Sequence, residues 1–506
     1  MEKRLILAIS VSMLVLLAWS AIMPKPPVPV KAEAVSVVTK TAQAVTQTSK
    51  ESVSTPPKEQ AVFTEAKFAT SLFSLNFFEP IAALNDAIFK QYQSHRVVLS
   101  SSFLLGGQDL IFHRENSAPG TLVFVQSDNT KKIKKEFIFS KNSYAIDLVI
   151  TISNLSNLNF NYNLPLSIGK LNFSGDQNIA RFEDVMIATK EKKFFLNGKK
   201  DAQEDNVKYV AIREKYFTLI AEPENESSAF VKKIDAKDSE IGLLPKNINI
   251  APGGQFVQKV HIYLGPLDLK QINAVKPEWG NVVNYGTFDF IGQIVLQLLE
   301  FFHRLVGNWG VAIILLSLGI YLLLYPFTLK QMRSMKEMQA LQPKVEALRI
   351  THKDNPQKLN KEILELYREH KVNPLGGCLP LLLQMPVFFA LYQVMIRCVA
   401  LKGAKFLWIK DLSEPDKLFL LPTNLPVLGN EFNLLPLLMA ALMFVQQKAS
   451  LVSSGSTSEE QQKIMMIVMP IMFGVIFYRM PSGLVLYWFV NSLLMLIYQL
   501  KVKSGK

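Results

Sequence analysis

The sequence predicts a polytopic α-helical membrane protein that carries a large β-sandwich domain outside the membrane and a helical hairpin inside. Three observations carry that class. Hydrophobic residues make up 49% of the 506, and their runs crowd positions 5–23 and everything after about 309, whereas 24–300 has ordinary globular composition. Strand-like segments dominate 61–270. Lys and Arg gather beyond one end of the apolar runs, as the positive-inside bias requires. The net charge of +13 would suggest nucleic acid in a soluble protein; here anionic lipid and that bias explain it more simply.

The N-terminal segment 1–23 has Lys3 and Arg4, then an uninterrupted apolar run from Leu5 to Ala18. Two readings stand: a cleaved signal peptide, with Ala18 and Ser20 as a weak small-x-small site, or an uncleaved anchor. The length through Met23 and the basic flank favour an anchor with its N-terminus inside. Residues 24–60 are rich in Pro, Val, Ala, Thr, Ser and Lys and lack aromatics. They bury too little surface to offset ordering entropy and are expected to form a tether.

Residues 61–285 are expected to form the β domain. Segments 97–103, 121–127, 134–140 and 144–154 are rich in β-branched and aromatic residues with partial alternation, and turn signals such as Ala118-Pro119-Gly120 and Gly175-Asp176 punctuate the region. Many strands with few helices over some 200 residues argue for a sandwich. His95, His113 and His261 are scattered, with no nucleophile elbow, phosphate loop or zinc pair beside them. No cofactor or metal is expected. The two cysteines, Cys378 and Cys398, fall in or beside one apolar segment, so the β domain holds no disulfide.

Within 286–307, Ile291, Val295, Leu298, Leu299 and Phe302 recur at helical spacing, interrupted by Gln293, Gln297, Glu300 and Arg304. The outer headgroup layer suits such a helix best; packing under the β domain is the other placement. Segment 308–330 is uncharged from Trp309 to Tyr325 and long enough, at about 1.5 Å per residue, to cross most of a core of about 30 Å. Lys330, Arg333 and Lys336 put its far end in the cytoplasm. Ser317 and Tyr321 lie four apart on one face. Either the Ser bonds its own backbone and the Tyr packs between helices, or both belong to a polar stripe.

Segment 331–373 is charged and helix-prone. Met335, Met338, Leu341, Val345 and Leu348 recur at three- and four-residue steps, a break at 351–356 intervenes, and Leu359, Ile363, Leu364 and Tyr367 follow. This reads as an αα-hairpin. Its basic residues either enforce topology or dock acidic RNA or protein on a ribosome. The span 374–401 contains Pro380, Gln384 and Pro386, and intramembrane prolines free carbonyls that neighbouring helices must satisfy. After a polar loop, 402–431, come a weak span at 432–447, a polar loop at 448–463, spans at 464–480 and 481–500, and a basic tail, 501–506. Six spans with both termini inside satisfy the charge rule.

The motifs Asn308-Trp309-Gly310, Tyr325-Pro326, Leu341-Gln342-Pro343-Lys344, Val372 to Cys378, Gln384-Met385-Pro386, Trp408-Ile409 with Asp411-Leu412, and Pro481 to Tyr487 resemble the bacterial YidC membrane-protein insertase family. The likeness is dense over 308–500 and follows the Gram-negative order of tether, periplasmic domain and amphipathic helix. It implies an N-terminal anchor plus a five-helix core around a hydrophilic groove, open to cytoplasm and lipid and closed outside. The groove would receive polar segments of nascent inner-membrane proteins without nucleotide hydrolysis. It implies an inner-membrane location, nascent membrane proteins as clients, and anionic phospholipids, the Sec translocon and the ribosome as partners, with no nucleic acid beyond ribosomal RNA.

In register with the family, the usual groove arginine falls at Tyr321 and a second groove aromatic at Trp488, beside Tyr487, while Ser317 matches a hydroxyl position. Ser317, Tyr321, Gln384, Tyr487, Trp488 and Asn491 are therefore the expected groove lining. Arg397 and Arg479 are candidate substitute charges, or arginines that reach the headgroups. Lys344, Arg349, Lys353, Lys358 and Lys361 are the hairpin's candidate contacts. Two rival classes are a small-solute transporter and an envelope scaffold with a carbohydrate-binding domain. No inverted repeat and no acidic residue in a span supports the transporter.

Overall fold

The computed structural model describes residues 65–504 apart from 107–109, 173–181, 236–237, 353–354, 371, 373–378, 426–428 and 452–458. The expected anchor and tether therefore lie outside the described residues, as do Lys353 and most of the Val372 to Cys378 motif.

Residues 65–266 build a two-layer β-sandwich. One layer is a nine-stranded sheet in which every neighbouring pair is antiparallel. At its centre Ala145–Asn154 pairs with Gln255–Pro266 from Tyr263↔Ala145 to Gln255↔Ser153. The other layer holds a four-strand meander, Glu65 to Ser102, and a second four-stranded sheet. Alternation explains the layering: Ile146, Leu148, Ile150 and Ile152 are buried on one face. Phe77 meets Phe137 at 5.0 Å and Phe89 stacks on Phe217 at 4.2 Å, both across the layers.

Nine helices are described after or beside this domain: α1 (Leu269–Val275), α2 (Asp289–Val306), α3 (Trp309–Ala340), α4 (Gln342–Thr351), α5 (Pro356–Glu369), α6 (Leu379–Arg397), α7 (Leu434–Leu451), α8 (Glu459–Phe477) and α9 (Ser482–Ser504). Within α3 and α9, Trp309–Leu329 and Ser482–Lys501 have the length and mean hydropathy of full spans, while Leu434–Lys448 and Met466–Phe477 are apolar but shorter.

Three differences from the sequence reading have physical causes. The helix α3 does not end at 330 but runs 32 residues through Pro326, so the span and the first arm of the hairpin are continuous. Proline removes one ladder bond without ending the helix. The weak fourth segment is an unbroken 18-residue helix, α7, because Gln446, Gln447 and Lys448 extend it past the apolar run. The loop 402–431 contains a two-stranded hairpin, Phe419–Leu425 with Gly429–Phe432, which Pro422 and Pro426 concealed, since proline in a short run argues against a strand.

Gly307 closes α2 in the left-handed conformation, φ 68°, and donates its N–H to His303 O at 2.8 Å. This tight reversal stacks His303 on Trp309 at 3.8 Å and sets α2 at the start of α3. The buried face of α2, Gly292, Val295 and Leu299, packs on α3 and α6. Phe290, Ile294, Leu298, Phe301 and Leu305 remain bare along the other side.

Candidate functional site

A cavity of about 210 Å³ lies between α3, α6, α7 and α9. The first helix contributes Tyr321, Leu324, Phe327 and Thr328, the second Gln384, the third Met443 and Gln446, and the last Trp488, Asn491, Ser492 and Met495. The spacing explains the convergence. Residues 321, 324 and 328, and residues 488, 491, 492 and 495, each follow the three- and four-residue steps of one helical face. Seven residues along each helix give the cavity a length of roughly 10 Å. All of these α3 residues belong to the half that precedes Lys330.

Its polar groups are hydroxyls, amides and an indole, with no Asp, Glu, Lys or Arg among the described lining residues. Gln384 donates to the Tyr487 hydroxyl, and Asn491 Nδ2 donates to Tyr487 O at 3.2 Å. Tyr487 itself is fully buried. It holds Gln384 from behind instead of lining the space. Trp488 closes the outer end of the cavity, its ring 5.4 Å from Phe388, 5.6 Å from Phe473 and 5.3 Å from Phe477.

Beyond that aromatic cluster the helices are packed shut. Ile313, Leu316, Leu391, Val394, Leu484 and Val485 are buried. The N-terminal amides of α9, which lack intrahelical acceptors, bond the preceding loop: Ser482 N–H donates to Glu414 O at 2.8 Å and Gly483 N–H to Leu412 O at 2.9 Å. At α7, Asp416 Oδ2 accepts from Leu434 N–H at 2.8 Å, Leu435 N–H at 2.9 Å and Trp408 Nε1–H at 3.1 Å. The β domain clamps this loop from above, with Lys215 on Glu414 at 2.7 Å, Tyr216 OH on Ser413 Oγ at 2.9 Å, and Lys402 donating to His95 Nδ1. Burial and the Lys402 charge push the His95 imidazole down to about 4.

Four of the six expected lining residues, Tyr321, Gln384, Trp488 and Asn491, meet at the cavity. Ser317 does not: it is buried and donates its hydroxyl to Ile313 O at 2.7 Å, the local bond that competes with any other role. The substitute arginines are not there either. Arg397 ends α6, thirteen residues or about 20 Å from Gln384, and its guanidinium lies 5.6 Å over the Phe182 ring of the β domain. The β domain covers it, so it does not reach for headgroups. Arg479 is exposed in the turn after α8.

In the hairpin, Leu341, Val345 and Leu359 are buried. Lys344 donates to His370 Nε2 at 3.0 Å, Lys358 lies 4.0 Å from Glu362, Lys361 is exposed and Arg349 half-buried. Sequence reasoning missed Thr328, Gln446 and Ser492. The signal for Thr328 was its position two turns past Tyr321.

Residues 301–506 match a family model described as the 60Kd inner membrane protein, and residues 107–298 match the YidC periplasmic domain. The membrane protein insertase YidC of Pelobacter propionicus is 32% identical over all of this chain and 99% of its own length. That of Syntrophobacter fumaroxidans is 36% identical over 76% of this chain and 71% of its own.

The chain belongs to the YidC membrane protein insertase family.

As in its relatives, its function is membrane-protein insertion, its membrane is the inner membrane and its β domain is periplasmic. A crystal structure titled as an active YidC insertase with its first transmembrane domain resolved is similar over 86% of this chain and 92% of that one, at 20% identity and a TM-score of 0.40.

Proposed function

We propose that the cavity between α3, α6, α7 and α9 is the groove that receives the polar outer segment of a nascent membrane protein, and that it does so through neutral hydrogen-bonding groups. The observation that carries this reading is the convergence of uncharged polar groups on a cavity whose lining is otherwise mostly apolar. Tyr321, Thr328, Gln384, Gln446, Asn491 and Ser492 converge there without a charged side chain among the described lining residues. A polar backbone group left unsatisfied in hydrocarbon costs several kcal/mol. A wet space reaching into the inner half of the bilayer shortens the dry path and lowers that barrier for each group that crosses.

In this reading the N-terminal anchor and five further spans place both termini in the cytoplasm and the hairpin beneath the groove. Lys344, Arg349, Lys353, Lys358 and Lys361 then face anionic phospholipid or the ribosome, and the chain acts alone or beside the Sec translocon. No phosphate-loop pattern occurs in the sequence, in keeping with insertion driven by partitioning and not by nucleotide hydrolysis.

The test is reconstitution into liposomes with a small single-span client, scored by protease protection with and without ATP. Insertion is expected in both. Tyr321→Arg is expected to raise the yield selectively for clients with acidic outer segments, since it restores a cation to the lining. A strict ATP requirement would overturn the proposal, whereas a Tyr321→Arg variant that treats acidic and neutral clients alike would show that a cation in the lining is dispensable.

A further inference from the structure

The outer loop carries apolar groups that the groove and its seal do not use. Between Lys417 and Glu431 the chain has no charged residue, and the paired strands Phe419–Leu425 and Gly429–Phe432 directly precede α7. Phe419 pairs with Phe432 and Leu420 with Glu431, so Phe419 and Leu420 point to opposite faces. Both are uncovered, at 49% and 67% exposure. A free two-stranded ribbon with both faces apolar is at best marginal in water.

Its position is fixed. Asn433 Oδ1 accepts from Lys417 N–H at 2.9 Å, Asn433 Nδ2 donates to Tyr478 O at 2.7 Å, and Lys417 pairs with Glu431 at 3.0 Å. The neck of the hairpin is thus tied to the outer ends of α7 and α8. A second apolar tip lies in the same loop. Leu407, 75% exposed, occupies the left-handed region at φ 51° in a turn closed by reciprocal bonds between Phe406 and Ile409. Leucine adopts that conformation only at a steric cost, so the turn holds it outward against its preference. Phe406 packs against Gly310, at the outer end of α3, where any Cβ would collide with its ring.

We propose that the Phe419–Phe432 hairpin, together with Leu407, is a membrane-surface anchor whose apolar side chains enter the headgroup and acyl boundary of the outer leaflet. The proposal rests on the span topology given above. Two observations select lipid over another protein chain. The Leu407 turn sits where the bare stripe of α2 (Phe290, Ile294, Leu298, Phe301 and Leu305) ends, since Asn308 Nδ2 donates to Lys405 O at 3.4 Å. Exposed Lys405 and Lys410 flank Leu407 and complement lipid phosphates.

The experiment places a nitroxide at Leu420→Cys in the full chain lacking its native thiols (Cys378→Ser and Cys398→Ser). The protein is reconstituted into phosphatidylethanolamine and phosphatidylglycerol liposomes. Accessibility to oxygen is compared with accessibility to a water-soluble nickel chelate. Leu323→Cys, on the bare face of α3, is the lipid reference, and Lys199→Cys, in the β domain, is the aqueous one. Position 420 is expected to favour oxygen at least severalfold over Lys199→Cys and to fall between the references. A label at 420 that matches Lys199→Cys while Leu323→Cys reads as lipid overturns the anchor and leaves the topology standing. Aqueous behaviour at Leu323→Cys overturns the topology and the anchor with it. Shielding at 420 that disappears when the protein is diluted into excess lipid overturns the anchor in favour of a second copy of the chain.

Discussion

The outer and inner ends of α3 and α9 are built from similar apolar sequence, yet they end in opposite ways. At the outer end Ala312, Ile313, Leu316, Leu484 and Val485 are buried, the amides of α9 are capped by loop carbonyls, and the β domain presses on that loop through Lys215 and Tyr216. At the inner end the same helices part around Tyr321, Thr328, Asn491 and Ser492, and Leu323 and Phe327 stand bare. The contrast teaches that closure is an active construction. Aromatic packing and a hydrogen-bonded loop seal one side, and polar side chains hold the other open. A membrane insertase needs that asymmetry, since a path open at both ends would leak.

Breaking the outer seal should have the largest effect on stability. Asp416→Ala removes the acceptor of three N–H donors beside the start of α7, and lost caps and unsatisfied buried donors together cost about 3 kcal/mol. Thermal unfolding of the detergent-solubilised protein, followed by tryptophan fluorescence, should show a clearly lowered midpoint.

Drying the inner side should spare the fold and strike activity. Gln384→Leu with Asn491→Leu replaces two polar lining groups at similar volume. If each contributes about 1 kcal/mol to holding a polar segment, insertion should slow on the order of thirtyfold. An unfolding midpoint within a few degrees of wild type would confirm that the inner polarity serves clients and not packing.

A smaller change sharpens the same distinction. Tyr487→Phe removes only the hydroxyl that positions Gln384, worth about 1 kcal/mol, so initial insertion rates should fall about fivefold. Normal rates would show that Gln384 needs no positioning.

The mildest effect concerns the clamp. His95 has its pKa lowered in the folded protein to about 4, so the unfolded state binds its proton first. The stability it contributes is intact above about 6.5 and declines as pH falls from there toward 4. His95→Gln should flatten that part of the curve of unfolding midpoint against pH.

Much of this was legible in sequence. Strand segments 121–127 and 144–154 match Thr121–Ser127 and Ala145–Asn154 closely, because alternation on a half-buried sheet is a local signal. Tyr321 and Ser317 stood out as polar residues on one face of an apolar run, and Asn491 entered with the lining that the resemblance implied. Gln446 did not, since it sits where α7 was expected to stop. Nor did Lys135, which the strand pattern gave no reason to place inside: it is fully buried, donates to Ala82 O and Phe103 O, and is held down to about 7 by burial.

The sequence by itself determined where the apolar runs lie, which segments form the outer sandwich, and which polar residues interrupt the apolar runs. Hydropathy, periodicity and charge are properties of the chain read a few residues at a time. Only the tertiary structure decided which of those polar residues meet. Ser317 and Tyr321 share a helical face, yet one spends its hydroxyl on Ile313 O while the other opens onto a cavity. Arg397, which local sequence offered as a groove charge, lies against Phe182 of a different domain. Such outcomes depend on how separate helices and sheets pack, and contacts between residues hundreds of positions apart leave no periodic trace in any one of them.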